Sequence, residues 1–304
     1  MLLEREQDPK EIFLHLAVRD VESALDLLAP AHERNPEDGY VSIEVDPNFA
    51  YDTKATREEA ERLHEWIRRP NLYVKIPGTR PGIQAIEDCI AAGRSINVTL
   101  LFSLEMHSAS MEAYLRGLER LVESGGDPKQ VHSVASFFVS RVDTETDKRL
   151  DELGGEATKL KGLLGIANAK LAYQNYLQVF AGPRWEALEA KGATKQRCLW
   201  ASTSTKNPEY RDVMYVEELI GPDTVNTMPL ETIEAFQDHG EVRGDTVKEG
   251  LDEARQLLVD LGVAGVDYDD VTATLEAEGV QKFTDSFGQI VASIQTKRGT
   301  LQPA

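Results

Sequence analysis

The sequence predicts an α/β protein built on a parallel sheet. Short runs rich in β-branched and aromatic residues, ending in Pro, Gly, Ser or Asn, alternate with longer segments whose apolar residues recur at helical spacing. The chain has 304 residues, of which 41% are hydrophobic and 28% charged, so it can bury a large core. This length suits either two small domains or one α/β barrel of about 250 residues.

Six candidate strands follow one another along the chain, and helical segments separate them. This alternation is typical of βα units in a parallel sheet. The strands are predicted at residues 41–45, 72–76, 95–101, 131–138, 198–202 and 224–227.

The helix signals between the strands are local. Thr56 with Glu59 forms a capping-box pattern, and a break between two helices is predicted near Gly154 and Gly155. Upstream of the first strand, residues 9–28 have a helical period that restarts near position 20. Helices alone follow the sixth strand, at about 230–239, 246–261, 270–278 and 280–297. We therefore expect a single domain, 1–304, with a helical C-terminal extension at 230–304.

Charge and cysteine content restrict the partners and the compartment. Lys and Arg total 33 against 52 Asp and Glu, and the net charge of −19 disfavours nucleic acid and anionic membranes as partners. The chain contains neither a signal-type apolar segment at its start nor an apolar run of about 18 residues. Cys89 and Cys198 lie in apolar surroundings, as reduced, buried thiols do. These features predict a cytoplasmic protein.

Lys75 is an isolated lysine near the end of an otherwise apolar strand segment. Strands of parallel sheets are buried on both faces, where a lysine is costly. Burial disfavours the ammonium form, and a neutral amine can attack a carbonyl to form a Schiff base. Pro77 and Gly78 mark the carboxyl end of the strand, where barrel active sites lie. The alternative is a lysine whose stem is buried while its ammonium reaches solvent.

Polar residues recur near the ends of other candidate strands. Ser42 and Glu44 share one face of the first strand, where a carboxylate could move protons to a nearby imine. Asn97 and Thr99 share one face of the third strand. A half-buried strand with one face toward water would also explain either alternation.

Two further segments are candidates for phosphate binding. Ser136 lies in the fourth strand and Arg141 follows it; arginine suits bidentate binding of phosphate. Alternatively, Arg141 pairs with a nearby acidic residue, Asp143 or Glu145. The hydroxyl-rich segment 202–206 ends in a lysine and could hold a phosphate, although such segments are commonly turns.

Motifs for nucleotide and metal chemistry are not found in the sequence. It contains no P-loop, dinucleotide fingerprint, nucleophile elbow or His-Glu-x-x-His pattern. The six histidines show no metal-ligand spacing. Chemistry without a metal or nucleotide points back to Lys75.

Four segments resemble the transaldolase family and follow one another in the order of that family. They are Val-Ser-Ile-Glu44-Val-Asp, Leu-Tyr-Val-Lys75-Ile-Pro-Gly-Thr, Ile-Asn97-Val-Thr99-Leu-Leu-Phe-Ser and Ala-Ser136-Phe-Phe-Val-Ser-Arg141-Val-Asp. The resemblance implies a (β/α)8 barrel of the pentose phosphate pathway that works without a cofactor. Such an enzyme moves a dihydroxyacetone unit from sedoheptulose 7-phosphate or fructose 6-phosphate to glyceraldehyde 3-phosphate or erythrose 4-phosphate.

The resemblance also implies roles for the matched residues. Lys75 would form the Schiff base with the donor ketone, and Glu44 and Thr99 would position the water that moves protons. The other matched residues would contact substrate: Asn97 its hydroxyls, Ser136 the dihydroxyacetone unit, and Arg141, Ser202 and Lys206 the phosphate. Family members often have an arginine in this last loop, and this chain has none there.

Two parts of the family pattern are not found in the sequence: a first strand carrying an Asp, and a Thr-x-Asn-Pro-like segment. With six candidate strands instead of eight, we expect a shortened barrel, a monomer or homodimer, whose activity is weak or absent. The alternatives are a Schiff-base aldolase that releases free dihydroxyacetone and a barrel that only binds sugar phosphates.

Overall fold

Six parallel strands form one sheet, and their order in the sheet is their order in the chain. The computed structural model describes Glu6 and residues 8–301. All six predicted strands are confirmed, and their ends differ from the prediction by at most two residues. The strands are β1 (Val41–Glu44), β2 (Leu72–Pro77), β3 (Ile96–Leu101), β4 (Ser133–Phe138), β5 (Arg197–Ala201) and β6 (Thr224–Asn226).

Helices cover one face of the sheet and cross its carboxyl end. They are α1 (Pro9–Arg34), α2 (Thr53–Ile67), α3 (Arg80–Ala91), α4 (Leu104–Glu123), α5 (Ser140–Leu153), α6 (Leu164–Val179), α7 (Pro183–Glu189), α8 (Met214–Glu217), α9 (Leu230–His239), α10 (Leu251–Ala264) and α11 (Tyr268–Leu301). Short 3-10 turns lie at Pro47–Phe49, Pro128–Gln130, Gly155–Leu160 and Thr246–Lys248. The predicted break near Gly154 is therefore confirmed.

The strand alternation divides the sheet into two different faces. Val74, Ile76, Ile96 and Val98 are fully buried against the helices, in the larger of two apolar clusters. Their neighbours in sequence point to the other face, because successive side chains of a strand alternate. Lys75 is one of these neighbours. The strand residues of the predicted site, Glu44, Lys75, Asn97, Thr99 and Ser136, therefore share this second face, which we call the inner face of the sheet.

The predicted capping box at Thr56 is wrong. Helix α2 begins three residues earlier, where the Asp52 carboxylate accepts a hydrogen bond from the backbone N–H of Ala55. Thr56 is buried, and its hydroxyl donates to the carbonyl of Phe49 at 2.6 Å. Asp and Thr are both good N-caps, and here the tertiary contact of Thr56 decides between them.

The predicted break near residue 279 is also wrong, because α11 is continuous from Tyr268 to Leu301. Gly279 lies where a Cβ would come within 3.1 Å of Leu100 Cδ2, so it allows the helix to approach β3 closely. Helix α1 is likewise unbroken. The helix predicted at 246–261 instead comprises the turn Thr246–Lys248 and, after a short gap, α10.

The described strands form an open sheet, with β1 and β6 at its two edges. Helix α11 packs against β3, α1, α5 and the turn that follows β1. It therefore crosses the carboxyl ends of the first strands. No helix within the described part of the chain is long and apolar enough to span a membrane.

Candidate active site

A cleft of about 540 Å³ opens at the carboxyl ends of the central strands. All the site residues predicted from the sequence line it except Glu44, which contacts Lys75 from the side. The predicted residues that line the cleft are Lys75, Asn97, Thr99, Ser136, Arg141, Ser202 and Lys206. The parallel strands thus bring together residues that are up to 131 positions apart in sequence.

Strand register places the first three polar residues side by side. Glu44 on β1 is the neighbour of Lys75 on β2, and Lys75 is the neighbour of Asn97 on β3. Lys75 Nζ lies 3.2 Å from Glu44 Oε2, and the two side chains are 25% and 19% exposed. The amine and the carboxylate are therefore close enough to exchange a proton directly or through one water.

The surroundings of Glu44 favour its protonated form more than water does. Burial raises the pKa of Glu44 above its ordinary value near 4.5, and the neighbouring Lys75 ammonium opposes that shift. Glu44 Oε1 and Thr99 Oγ1 are both buried without a hydrogen-bond partner among the described residues. Buried polar atoms are normally paired. Glu44 Oε1 is therefore free to accept a hydrogen bond from substrate or water, and the Thr99 hydroxyl is free to donate or accept one.

Asn97 is held in one orientation by its neighbours on the inner face. Ser136 Oγ donates to Asn97 Oδ1 at 2.7 Å, and Asn97 Nδ2 donates to Ser42 Oγ at 3.2 Å. Asn97 and Ser136 are only 5% and 3% exposed. The network connects three strands and presents hydroxyl and amide groups to the cleft beside Lys75.

Arg141 lies in the first turn of α5 and forms no ion pair with a described residue. Burial lowers the pKa of its guanidinium, which packs 5.0 Å from the Phe138 ring. The two acidic residues suggested as partners are engaged elsewhere. Asp143 accepts hydrogen bonds from Gly165 and Tyr215, and Glu145 pairs with Arg149. Arg141 therefore offers the cleft a cation that no described acidic residue neutralises.

The loop after β5 brings a second cation to the same cleft. Ser202 adopts a φ of +58°, and its hydroxyl lies 2.9 Å from that of Ser140. Lys206 is exposed, and its ammonium donates to Ser204 Oγ at 2.7 Å. Positive φ is uncommon outside glycine and is frequent at functional turns. The loop and the start of α5 thus meet at Ser140 and Ser202.

Sequence reasoning missed several residues around Lys75. The Phe283 ring on α11 lies 5.9 Å from Lys75 Nζ, and Met228 and Pro229 after β6 line the cleft. Their residue types give no chemical signal, so only the fold identifies them. Asp46, two residues after Glu44, pairs with Lys10 and caps the turn Pro47–Phe49.

Comparison with known proteins agrees with this geometry. The Transaldolase/Fructose-6-phosphate aldolase family model matches residues 1–294. The chain belongs to this family. The family predicted from the sequence is therefore confirmed, and with it an α/β fold of the barrel type.

Similar members of the transaldolase family come from several bacteria. The chain is 50% identical over 288 residues to a transaldolase of Acidothermus cellulolyticus, covering 94% of this chain and 77% of that protein. It is 49% identical over 294 residues to a transaldolase of Frankia alni, covering 96% of this chain and 79% of the other. A transaldolase of Mycolicibacterium paratuberculosis is 51% identical over 284 residues, or 92% and 76% of the two chains. These relatives support the prediction of a transaldolase, a transferase, over a binding protein without activity.

Proposed function

We propose that this transaldolase-family protein transfers a dihydroxyacetone unit between sugar phosphates through a Schiff base on Lys75. The observation that supports this most directly is the Lys75–Glu44 pair, 3.2 Å apart, beside a cleft that also contains an arginine with no ion pair among the described residues. An amine and a carboxylate serve imine chemistry, and the arginine suits the phosphate of the donor.

The reaction begins with attack of the neutral Lys75 amine on the ketone carbon of the donor. The carbinolamine loses water to give an iminium ion at C2, which withdraws electrons from the bond between C3 and C4. As the C4 hydroxyl gives its proton to water, that bond breaks, releases an aldehyde and leaves a three-carbon enamine on Lys75. The enamine then adds to the acceptor aldehyde, whose oxygen takes a proton from water, and hydrolysis of the new iminium releases the product and returns the amine.

Glu44 and Thr99 serve the two steps in which water leaves and enters. Protonated Glu44 can donate to the departing hydroxyl, and the carboxylate can later take a proton from the attacking water. The Thr99 hydroxyl, which has no hydrogen-bond partner among the described residues, lies on β3 next to the strand of Lys75 and is suited to hold that water. Asn97 and Ser136 are positioned to bind the hydroxyls of the three-carbon unit.

Glu44→Gln is expected to slow imine formation by roughly 10²-fold to 10³-fold, because the amide cannot transfer protons. The ratio of the wild-type rate to the Glu44→Gln rate should fall as the pH is raised through the pKa of Glu44, because the acid that protonates the departing hydroxyl is then lost. Because burial raises that pKa, the fall should begin at a higher pH than for an exposed glutamate. Stopped-flow rates of imine formation across pH check this. A ratio that does not vary with pH would contradict a proton-transfer role.

Arg141, Ser202 and Lys206 form the proposed phosphate site. Arg141 has no ion pair among the described residues, and Lys206 engages only a serine there, so both cations are available to an anion. These residues line the same cleft as Lys75, so a donor attached to Lys75 can carry its phosphate to them. The chemistry requires no cofactor.

We further infer a cytoplasmic setting, a monomeric or homodimeric state and a single domain comprising the sheet and its C-terminal helices. The two cysteines support the first inference, since Cys89 and Cys198 are buried, unpaired thiols. Packing of α11 on β3 and α5 supports the last.

The proposal is tested by incubating the protein with fructose 6-phosphate and erythrose 4-phosphate. We expect sedoheptulose 7-phosphate to form, with glyceraldehyde 3-phosphate as the co-product. Release of free dihydroxyacetone without acceptor would instead indicate an aldolase, and tight binding of the sugar phosphate without either product would indicate a binding protein.

A further inference from the structure

Two carboxylates on α5 each hold a tyrosine hydroxyl from the segment that follows β5. Asp147 accepts from Tyr210 at 2.5 Å, and Asp143, one helical turn earlier, accepts from Tyr215 at 2.8 Å. Asp143 and Asp147 are 1% and 8% exposed, and neither forms an ion pair with a described residue. Their hydrogen bonds therefore compensate for the burial of charge.

Each carboxylate also accepts a hydrogen bond from a backbone N–H near the start of α6. The donor to Asp147 lies just before this helix, and the donor to Asp143 lies in its first turn. Asp143 accepts from the N–H of Gly165 at 2.6 Å, and Asp147 accepts from that of Gly162 at 2.8 Å. Burial raises the pKa of Asp143 to about 6, and these hydrogen bonds oppose the shift. Four donors from two separate chain segments thus converge on one face of α5.

The ring of Tyr210 packs directly on Gly162. A Cβ at Gly162 would lie 2.7 Å from Tyr210 Cζ, and the φ of this glycine is +72°. The hydroxyl contact is thus reinforced by close packing. Removing only the hydroxyl leaves the ring in place, so the hydrogen bond can be tested separately from the packing.

These contacts bear on the proposed phosphate site because α5 and the loop after β5 each supply one of its cations. Arg141 is in the first turn of α5, six residues before Asp147. Lys206 lies between two anchors of the loop: Thr203, which donates to Asn226 at 2.7 Å, and Tyr210. The second anchor connects the end of the loop to the helix of Arg141, whereas Ser202 contacts the start of that helix at Ser140.

We propose that Tyr210 and Asp147 are positioning residues for phosphate binding, because their hydrogen bond holds the Lys206 loop against the helix that carries Arg141. The inference rests on the proposed function for the identity of the ligand. It goes beyond that function by assigning a role to two residues that do not line the cleft and do not contact Lys75 or Glu44.

The test measures binding of inorganic phosphate by calorimetry, since this probe needs no reaction at Lys75. Tyr210→Phe should weaken phosphate binding about 10-fold, the loss expected when a charge-assisted hydrogen bond no longer orders the site. Asp147→Asn should weaken it as well. The double variant should lose less than the product of the two single effects, because both substitutions break the same bond.

Tyr176→Phe is the matched control. Tyr176 donates to Asp223 at 3.1 Å, so this substitution also removes a tyrosine–aspartate hydrogen bond, but one that does not hold the Lys206 loop. It should leave phosphate binding unchanged. Equal losses in Tyr210→Phe and Tyr176→Phe would overturn the proposal, and so would wild-type affinity in Tyr210→Phe or no phosphate binding by the wild-type protein.

Borohydride trapping with dihydroxyacetone separates this inference from the proposed function. This ketone has no phosphate, so Tyr210→Phe should form the reduced adduct at the wild-type rate. Loss of trapping in Tyr210→Phe would show damage to the whole site and overturn a specific positioning role. Absence of trapping in the wild-type protein would instead reject the imine and leave the phosphate result to decide the positioning role.

Discussion

Lys75→Met is expected to abolish transfer, with a loss of at least about 10⁴-fold, because no other described residue in the cleft offers an amine beside a carboxylate. Methionine approximates the length of the lysine stem and keeps its apolar packing. Loss of the nucleophile should therefore affect kcat far more than the fold. The measurement is the rate of sedoheptulose 7-phosphate formation.

The control for this variant is Lys54→Met, the same substitution at a side chain of α2 that is 80% exposed. It should retain wild-type activity. The unfolding midpoints of both variants show whether either substitution damages the fold. A Lys75→Met protein that is folded and transfers within a factor of about ten of wild type would exclude covalent catalysis at this position.

Arg141→Met is expected to raise the KM for fructose 6-phosphate by about 10²-fold, the effect of removing one strong, charge-assisted contact to the phosphate. The rate of imine formation with dihydroxyacetone should stay near the wild-type value, because that ketone has no phosphate. Steady-state kinetics with the first substrate and trapping with the second measure the two effects.

Arg255→Met on α10 is the control, since Arg255 is exposed and pairs only with Asp252 among the described residues. It should leave both measurements unchanged. Arg141 would not be the phosphate ligand if Arg141→Met affected the two ketones equally, because that result would indicate a general disturbance of the cleft.

The strand pattern and the lysine could be predicted from the sequence because both depend on local signals. A buried strand is visible in the sequence as a short run of apolar and β-branched residues, and Lys75 stands out because its neighbours in such a run are apolar. The inner-face positions of Glu44, Asn97 and Thr99 follow from the same alternation. Their convergence on one cleft follows from the parallel order of the strands, which the βα alternation predicts.

Other features depend on contacts between distant segments, which no local signal reports. Gly279 suggests a helix end, but it allows α11 to pass close to Leu100. Phe283 reaches Lys75 only because that helix continues across the sheet. Tyr210 and Asp147 are 63 residues apart, and nothing in the chemistry of either indicates the other.

The most direct test of the account is the site of covalent attachment after borohydride reduction with fructose 6-phosphate. Peptide mass spectrometry should find the reduced three-carbon adduct on Lys75, and it should be missing from Lys75→Met. Glu44→Gln should acquire the same adduct more slowly. Reduction that leaves Lys75 unmodified while the protein catalyses transfer, or an adduct confined to another lysine, would contradict the central claim.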